Sequence, residues 1–409
     1  DKQQNTWVLT KGNGVYKSIF SSFKHINKIE NLSVKEITAT HRRNDSIWFT
    51  DTNRNLFLID KTGVHFIRKN NFRTTSITTD VNNNLWFGSQ RKGIYILRKQ
   101  QDSLKKINFI VERLYTNNGL PNNNIQNIII QNDLIWVVTQ DAGILKLNYD
   151  FDGNFVKNIS RFNKNNGIKN LSITTSLLFK ERIWYATNNG DLGYIYNDKV
   201  SHYSRILNKN TPISNLAFTE NNLFIGTMGN GIWRATLKNV TNPKQLNTSF
   251  LTSKNINQLF IDSKKNIWIG SEKGVDKLEV VNNKISKSTH YNANDGFIGV
   301  ETSKSSILEN SFGNLWFGTK NGITSFTPTQ NQQIKIKPTI HFENIEIDYQ
   351  SIDSIQKQIK NSVIQLSPTQ NNISFNFKTI DINQPKRIEY QWILNENQSN
   401  WTTKNSINF

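Results

Sequence analysis

The 409-residue chain has no cysteine, one methionine and seven prolines. Without cysteine there is no disulfide framework, no thiolate metal site and no cysteine nucleophile, and any redox compartment is allowed. No run approaches the about 18 apolar residues of a membrane-spanning helix, and the polar opening Asp1 to Asn5 is not a secretory signal. Any targeting segment is expected to have been removed. Acidic residues are scarce, 31 against 50 lysines and arginines, for a net charge of +19. Nucleic-acid binding would need that charge gathered on one face. The lysines instead lie scattered among asparagines in loops, so a solvated basic surface is expected and direct nucleic-acid binding is not. None of the six histidines (His25, His41, His65, His202, His290, His341) pairs with a second histidine or a carboxylate at metal-ligand spacing. His-Glu-x-x-His and Gly-x-Ser-x-Gly are both absent, so no metal, cofactor or catalytic residue is expected. Gly12-Asn13-Gly14 and Gly229-Asn230-Gly231 lack the strand-loop-helix setting of a phosphate loop and read as hairpin turns.

What the chain does have is a repeat. Leu315-Trp316-Phe317-Gly318-Thr319 followed by Gly322 recurs, slightly altered, around Trp7, Trp48, Trp86, Trp136, Trp184, Phe224 and Trp268. The spacing lies in the range of propeller blades. Each copy is a β-prone apolar run that turns at a short polar segment ending near Gly, which makes one hairpin. Asn321-Gly322, Asn189-Gly190 and Asn230-Gly231 suit turns that need positive φ. Because side chains alternate along a strand, Trp316 faces one side and Leu315 and Phe317 the other, so the sheet must be covered on both faces. Sheets stacked radially do this, and a small residue two places after the aromatic allows close backbone approach. The tryptophans are therefore expected to be core between blades.

Four strands per repeat are expected, for instance an outer strand near Phe23 to Asn27, an inner strand near Val34 to Thr38, the Trp48 strand and Leu56 to Ile59. Residues 1–19 form an extra hairpin without a preceding strand, and residues 20–327 a seven-bladed β-propeller. Phe23 to Asn27 can supply the outer strand missing from the Trp316 blade and close the ring. An eight-bladed ring is the alternative, since there are eight copies. After Pro328 the period stops. Ile340 to Ile347, Val363 to Leu366, Ile373 to Phe377 and Ile388 to Leu394 alternate as strands, and residues 328–409 read as a partial Ig-like β-sandwich.

The hairpin motif, with the linker Tyr115 to Ile125, resembles the two-component regulator propeller repeat over most of residues 1–327. Leu366-Ser367-Pro368 through Tyr390-Gln391-Trp392 to Phe409 is similar to the triple-tyrosine domain that follows such propellers, with Trp392 in place of one tyrosine. The resemblance implies the extracytoplasmic sensor region of a membrane-bound histidine kinase or hybrid kinase, responsive to an oligosaccharide or other polar small molecule. It also implies pairing as a homodimer through the sandwich, membrane attachment only by segments outside this chain, and in some members a preceding propeller that would account for the extra hairpin. A non-signalling scaffold in secretion or surface assembly is the alternative, and a propeller lyase would need convergent His, Tyr or carboxylates at the channel.

Loops from an outer strand to the next inner strand, and loops inside the Trp-to-Gly hairpins, emerge at one end of a propeller. The candidate ligand-binding residues there are Arg73, Asn124, Asn170, Ser214, Asn255 and Glu301 from the first class and Arg91, Asp141 and Lys273 from the second. They offer amides, hydroxyls and charge, and Arg73, Arg91 and Lys273 suit an acidic oligosaccharide.

Overall fold

From Trp48 to Trp316, the aromatic of each repeat lands against the flanking residues of the next repeat. Trp316 packs with Ile47 and Phe49, Trp48 with Leu85 and Phe87, and Trp86 with Ile135 and Val137. Trp136 meets Ile183 and Tyr185, Trp184 meets Leu223 and Ile225, Phe224 meets Ile267 and Ile269, and Trp268 meets Leu315 and Phe317. Alternation along the strand thus gives every sheet two apolar faces, and the cores run in a cycle that returns to its start.

The computed structural model describes residues 6–18, 21–101, 107–150, 155–207, 211–281, 284–328, 339–351, 366–381 and 388–409. They are all-β, with four 3₁₀ turns as the helical content. Contacts divide the chain into one unit of Ser21–Thr329 and another of Asp1–Phe20 with Gln330–Phe409. The first unit is propeller-like, built of four-stranded antiparallel sheets. In the Trp48 sheet the order is Ile37–Arg43, Ser46–Asp51, Asn55–Asp60, Gly63–Lys69. The first strand begins at Ile37, later than Val34, because a two-stranded ladder of Lys28–Ile29 and Leu32–Ser33 takes up the chain before it. Phe23–Ile26 pairs with Gly322–Phe326, from Phe23↔Phe326 to Ile26↔Ile323, so the start of the unit completes the sheet made by its end.

Local chemistry explains the motif. Gly318 lies against the next sheet, and a Cβ there would sit 2.6 Å from Ser306 Cβ and 2.9 Å from Ile37 Cβ. The hydroxyl after it, Thr319 Oγ1, donates to Gly322 O at 2.8 Å, as Ser89 does to Gly93 O at 2.6 Å and Thr227 to Gly231 O at 2.7 Å. In the turns that contain Asn321, Asn189 and Asn230 positive φ falls on glycine and not on the asparagine, whereas the Ser89–Gly93 turn places it on Arg91 as well as on Gly93. An Asp-x-x-x-Asn-x-Trp pattern braces two sheets. Asp80 accepts from Asn84 N at 2.8 Å, Asn84 Nδ2 at 2.9 Å and Trp86 Nε1 at 2.8 Å, and Asp262 does the same for Asn266 and Trp268.

Two expectations fail. Trp7 is 43% exposed, with Val8, Leu9, Val15 and Tyr16 exposed beside it, because the hairpin of Thr6–Thr10 and Gly14–Ser18 pairs with no third strand among the described residues. In the C-terminal unit one sheet joins Gln350–Ser351, Ile340–Ile347, Ile373–Thr379 and Ser406–Asn408. Ile388 to Leu394 is not one strand. Tyr390 bridges to Thr402, and Ile393–Leu394 turns back on Asn397–Gln398. Val363 to Gln365 lie outside the described residues. Tyr390 packs on Phe377 with ring centroids 4.8 Å apart and Trp392 on Phe409 at 5.1 Å.

His41, in the first strand of the Trp48 sheet, has Nε2 3.0 Å from Thr79 Oγ1. Burial, helped by Arg43, pushes its pKa down from 6.5 to about 4. The unfolded chain takes up this proton first, so the site's stabilisation is full above pH 6.5 and is lost as the pH falls toward 4. Urea titrations should find roughly 2–3 kcal/mol lost between pH 7 and pH 4 through this residue, and His41→Gln should flatten that part of the profile. A profile unchanged by the substitution would refute the assignment.

Candidate functional site

The two classes of loop do emerge together, and the backbone says why. In several sheets the residue before the first strand pairs with the residue after the second: Thr52 N–H donates to Glu36 O, Gln90 to Arg73 O, Gln140 to Asn124 O, Asn188 to Ser172 O and Lys320 to Glu301 O, all at 2.9–3.1 Å. At this end the loops of the Trp48 and Trp86 sheets bound a cleft of about 440 Å³ lined by Arg54, Asn71, Arg73, Gln90, Arg91 and Lys92, with no carboxylate. Arg54 and Arg91 stand at left-handed turn positions, φ +70° and +64°. Lys92 Nζ donates to Asn71 O at 2.9 Å. None of the four cations makes an ion pair among the described residues. The lysines and arginines that look scattered in the sequence therefore include a converging set.

Beside the cleft, and sharing Arg73 and Gln90 with it, opens the mouth of the channel, a cavity of about 400 Å³ that also meets Glu36, Asn124, Gln126 and Gln140. Below the mouth, a cavity of about 360 Å³ is lined mainly by residues of the first strands of this unit's sheets, among them Thr38, Thr75, Asn127, Thr174, Asn215, Leu259 and Lys304. Neither cavity is lined by a histidine or tyrosine.

Of the nine residues expected from the sequence, Arg73 and Arg91 both line the cleft, and Arg73 and Asn124 line the mouth. The Asn124 amide donates to Gln140 Oε1. The Asn170 amide donates to Asn188 Oδ1 at 3.0 Å while its own oxygen accepts from Ser172 N, so it is occupied within the rim. Asp141, Asn255, Lys273 and Glu301 are exposed and line neither cavity. Ser214 is a correction. It belongs to the strand Ile213–Phe218, is 1% exposed, and donates from Oγ to Ile256 O at 2.6 Å, tying one sheet to the next.

Lys304 went unnoticed in the sequence. It sits in an irregular bulge: Ile307 stands five positions after Thr302 while facing Phe317, whereas in the Trp86 sheet Ile77 stands three after Thr74 while facing Phe87. The extra residues fold into the channel. The signal was there as Ser303-Lys304-Ser305-Ser306, a polar insertion where the other first strands read more apolar.

Residues 251–273 match the two component regulator propeller family model. No curated protein sequence matches the chain. Among solved structures the chain is similar to the extracellular domain of the protein named as hybrid two component system BT3049 from B. thetaiotaomicron, at 17% identity and a TM-score of 0.72. It is also similar to that of BT4673 from the same organism, at 16% and 0.60. All of this chain is covered in both, but it spans 56% and 58% of those chains. A streptogramin B lyase shares the fold at 18% identity and a TM-score of 0.55, covering 75% of this chain and 97% of the lyase. The propeller-like, all-β architecture is thus common to sensor domains and to lyases. Among the described residues no helix is long and apolar enough to cross a membrane.

Proposed function

We propose that this chain is the extracytoplasmic ligand-sensing region of a two-component signalling receptor, and that it recognises an acidic oligosaccharide at the loop end of the propeller-like unit. The observation that carries the ligand class is the cleft of Arg54, Arg73, Arg91 and Lys92, four cations without a lining carboxylate. Unpaired guanidinium groups are planar donors matched to carboxylate and sulfate oxygens. The likeness to extracellular domains of hybrid two-component systems supports the sensing role and the location. In this reading the cyclic cores are the blades of one seven-bladed propeller, residues 328–409 are a triple-tyrosine-type, Ig-like sandwich that pairs two chains, and the hairpin around Trp7 belongs to a preceding propeller. The lyase reading lacks support, since catalysis at the channel would call for histidine, tyrosine or paired carboxylates, and the lining supplies Glu36 alone, bound to Lys320 at 2.6 Å.

Calorimetry against neutral and acidic oligosaccharides, with a single-stranded oligonucleotide as a further arm, tests this. Acidic chains should bind, neutral ones and the oligonucleotide should not, and Arg73→Ala with Arg91→Ala should weaken binding by at least about tenfold. Sedimentation of the same samples should find a dimer. Binding indifferent to both changes would refute the cleft, and a monomer at every concentration would refute the pairing.

A further inference from the structure

The bulge that carries Lys304 is held from three sides. Gln258, fully buried, places Nε2, with its two N–H donors, within hydrogen-bond distance of three carbonyl oxygens, Ser303 O at 2.8 Å, Ser306 O at 3.0 Å and Gly318 O at 2.8 Å. Ser305 N–H donates to Asn257 O at 2.9 Å, and Ser305 Oγ to Asn215 Oδ1 at 3.0 Å, reaching a sheet two places away in the ring. Ser305 takes φ +52°, a conformation that a non-glycine residue holds only where its surroundings enforce it. So much restraint fixes one side chain in the channel. Lys304 is open to water yet ringed by the channel wall, which lowers its pKa by desolvation, and no ion pair or hydrogen bond of its ammonium group exists among the described residues.

The space shared by channel and mouth is lined by Lys304, Gln126, Thr38, Thr75, Thr174 and Ser305. Their hydrogen-bonding capacity is divided. The Gln126 amide, like the Lys304 ammonium, has no partner among the described residues and can donate. The Thr75 and Thr174 hydroxyls already donate, to Ile125 O at 2.6 Å and to Ile213 O, and retain only acceptor capacity. A ligand satisfying both sets carries one anionic group for Lys304 and Gln126 and hydroxyl donors for the threonines. One cation favours a monoanion over a dianion, and the cavity is within the size range of small-molecule sites.

We propose that the channel is a carboxylate subsite for a hydroxylated sugar acid of the hexuronate class, with Lys304 and Gln126 on the carboxylate. This deepens the acidic-oligosaccharide reading and rests on it. Cleft and mouth share Arg73 and Gln90, so the body of a chain can lie in the cleft while its end enters the channel.

Calorimetry of the whole chain with glucuronate and galacturonate, against glucose and inorganic phosphate, tests the subsite. A hexuronate should bind, glucose and phosphate at least about tenfold more weakly, and Lys304→Met should weaken hexuronate binding by at least about tenfold. Affinity should fall as the pH rises through the lowered Lys304 pKa, and Arg91→Ala, at a residue that lines the cleft but neither the channel nor its mouth, should leave hexuronate binding within about twofold. If Lys304→Met disturbs thermal unfolding, Gln126→Leu makes the same comparison. No hexuronate binding, binding unchanged by Lys304→Met, or phosphate bound as tightly would overturn the subsite. An acidic oligosaccharide lost in the arginine variant but indifferent to Lys304→Met would overturn the subsite and leave the cleft standing. Hexuronate binding that needs Lys304, with oligosaccharide binding indifferent to the arginines, would do the reverse.

Discussion

Trp86→Ala should cost the propeller-like unit about 3–5 kcal/mol, whereas Trp7→Ala should cost under about 1 kcal/mol. The two residues occupy the same place in the repeat, and nothing local distinguishes them. Trp86 is 0% exposed, packed among Ile125, Ile135 and Tyr149, and its indole donates to the buried Asp80. Truncation opens a cavity and also removes a donor from a buried carboxylate, and both effects act in the same direction. Trp7 is 43% exposed and loses little on truncation. Scanning calorimetry of the two variants makes the comparison. Equal shifts for the two substitutions, or a shift under about 1 kcal/mol for Trp86→Ala, would contradict the assignment of Trp86 to a core between sheets.

Gly322→Ala should loosen the closure of the ring. Gly322 has φ +110°, and a Cβ there would lie 2.3 Å from Ile26 O and 3.0 Å from Asn27 Cα, backbone atoms of the strand that completes the Trp316 sheet. Strain at such a residue costs on the order of 1–3 kcal/mol before any clash is counted. Backbone cannot yield as a flexible side chain does, so relief comes by displacing Phe23–Ile26. Gly313→Ala supplies the comparison: its φ is +77°, but its nearest neighbour is Glu309 Oε1 at 3.7 Å, and only the conformational cost of about 1 kcal/mol applies. Hydrogen exchange should quicken at Phe23–Ile26 in the first variant and not in the second. Equal exchange in both would mean that this strand does not depend on the close approach at Gly322.

The sheet architecture was legible because it is written in short-range terms. Alternating apolar residues around each aromatic dictate two buried faces, which hold from Trp48 to Trp316, and where glycine stands two places on, at Gly88, Gly226, Gly270 and Gly318, it allows close approach of the next sheet. Ile340–Ile347 was readable for the same reason of period. Where pattern and environment part, the sequence misleads. The Trp7 copy has the right pattern but is 43% exposed, its hairpin pairing with no third strand among the described residues, and Ser214 looks like a loop hydroxyl but is the donor that binds one strand to its neighbour.

The candidate site was legible only in part. Arg73 and Arg91 could be found from the repeat, because every repeat puts its turns at the same end. Their company could not be. Arg54 and Lys92 join them only because two neighbouring sheets bring separate turns to one cleft, and Lys304 reaches the channel only because a bulge is pinned by Gln258, Asn257 and Asn215 from other sheets. The sequence by itself determined strands, faces and the order of the sheets, since these follow from periodicities of two residues and of one repeat. Which cations converge, which hydroxyls are spent on the framework and which stay free for a ligand were decided by the tertiary structure, because each depends on distances between residues that the chain separates by whole repeats.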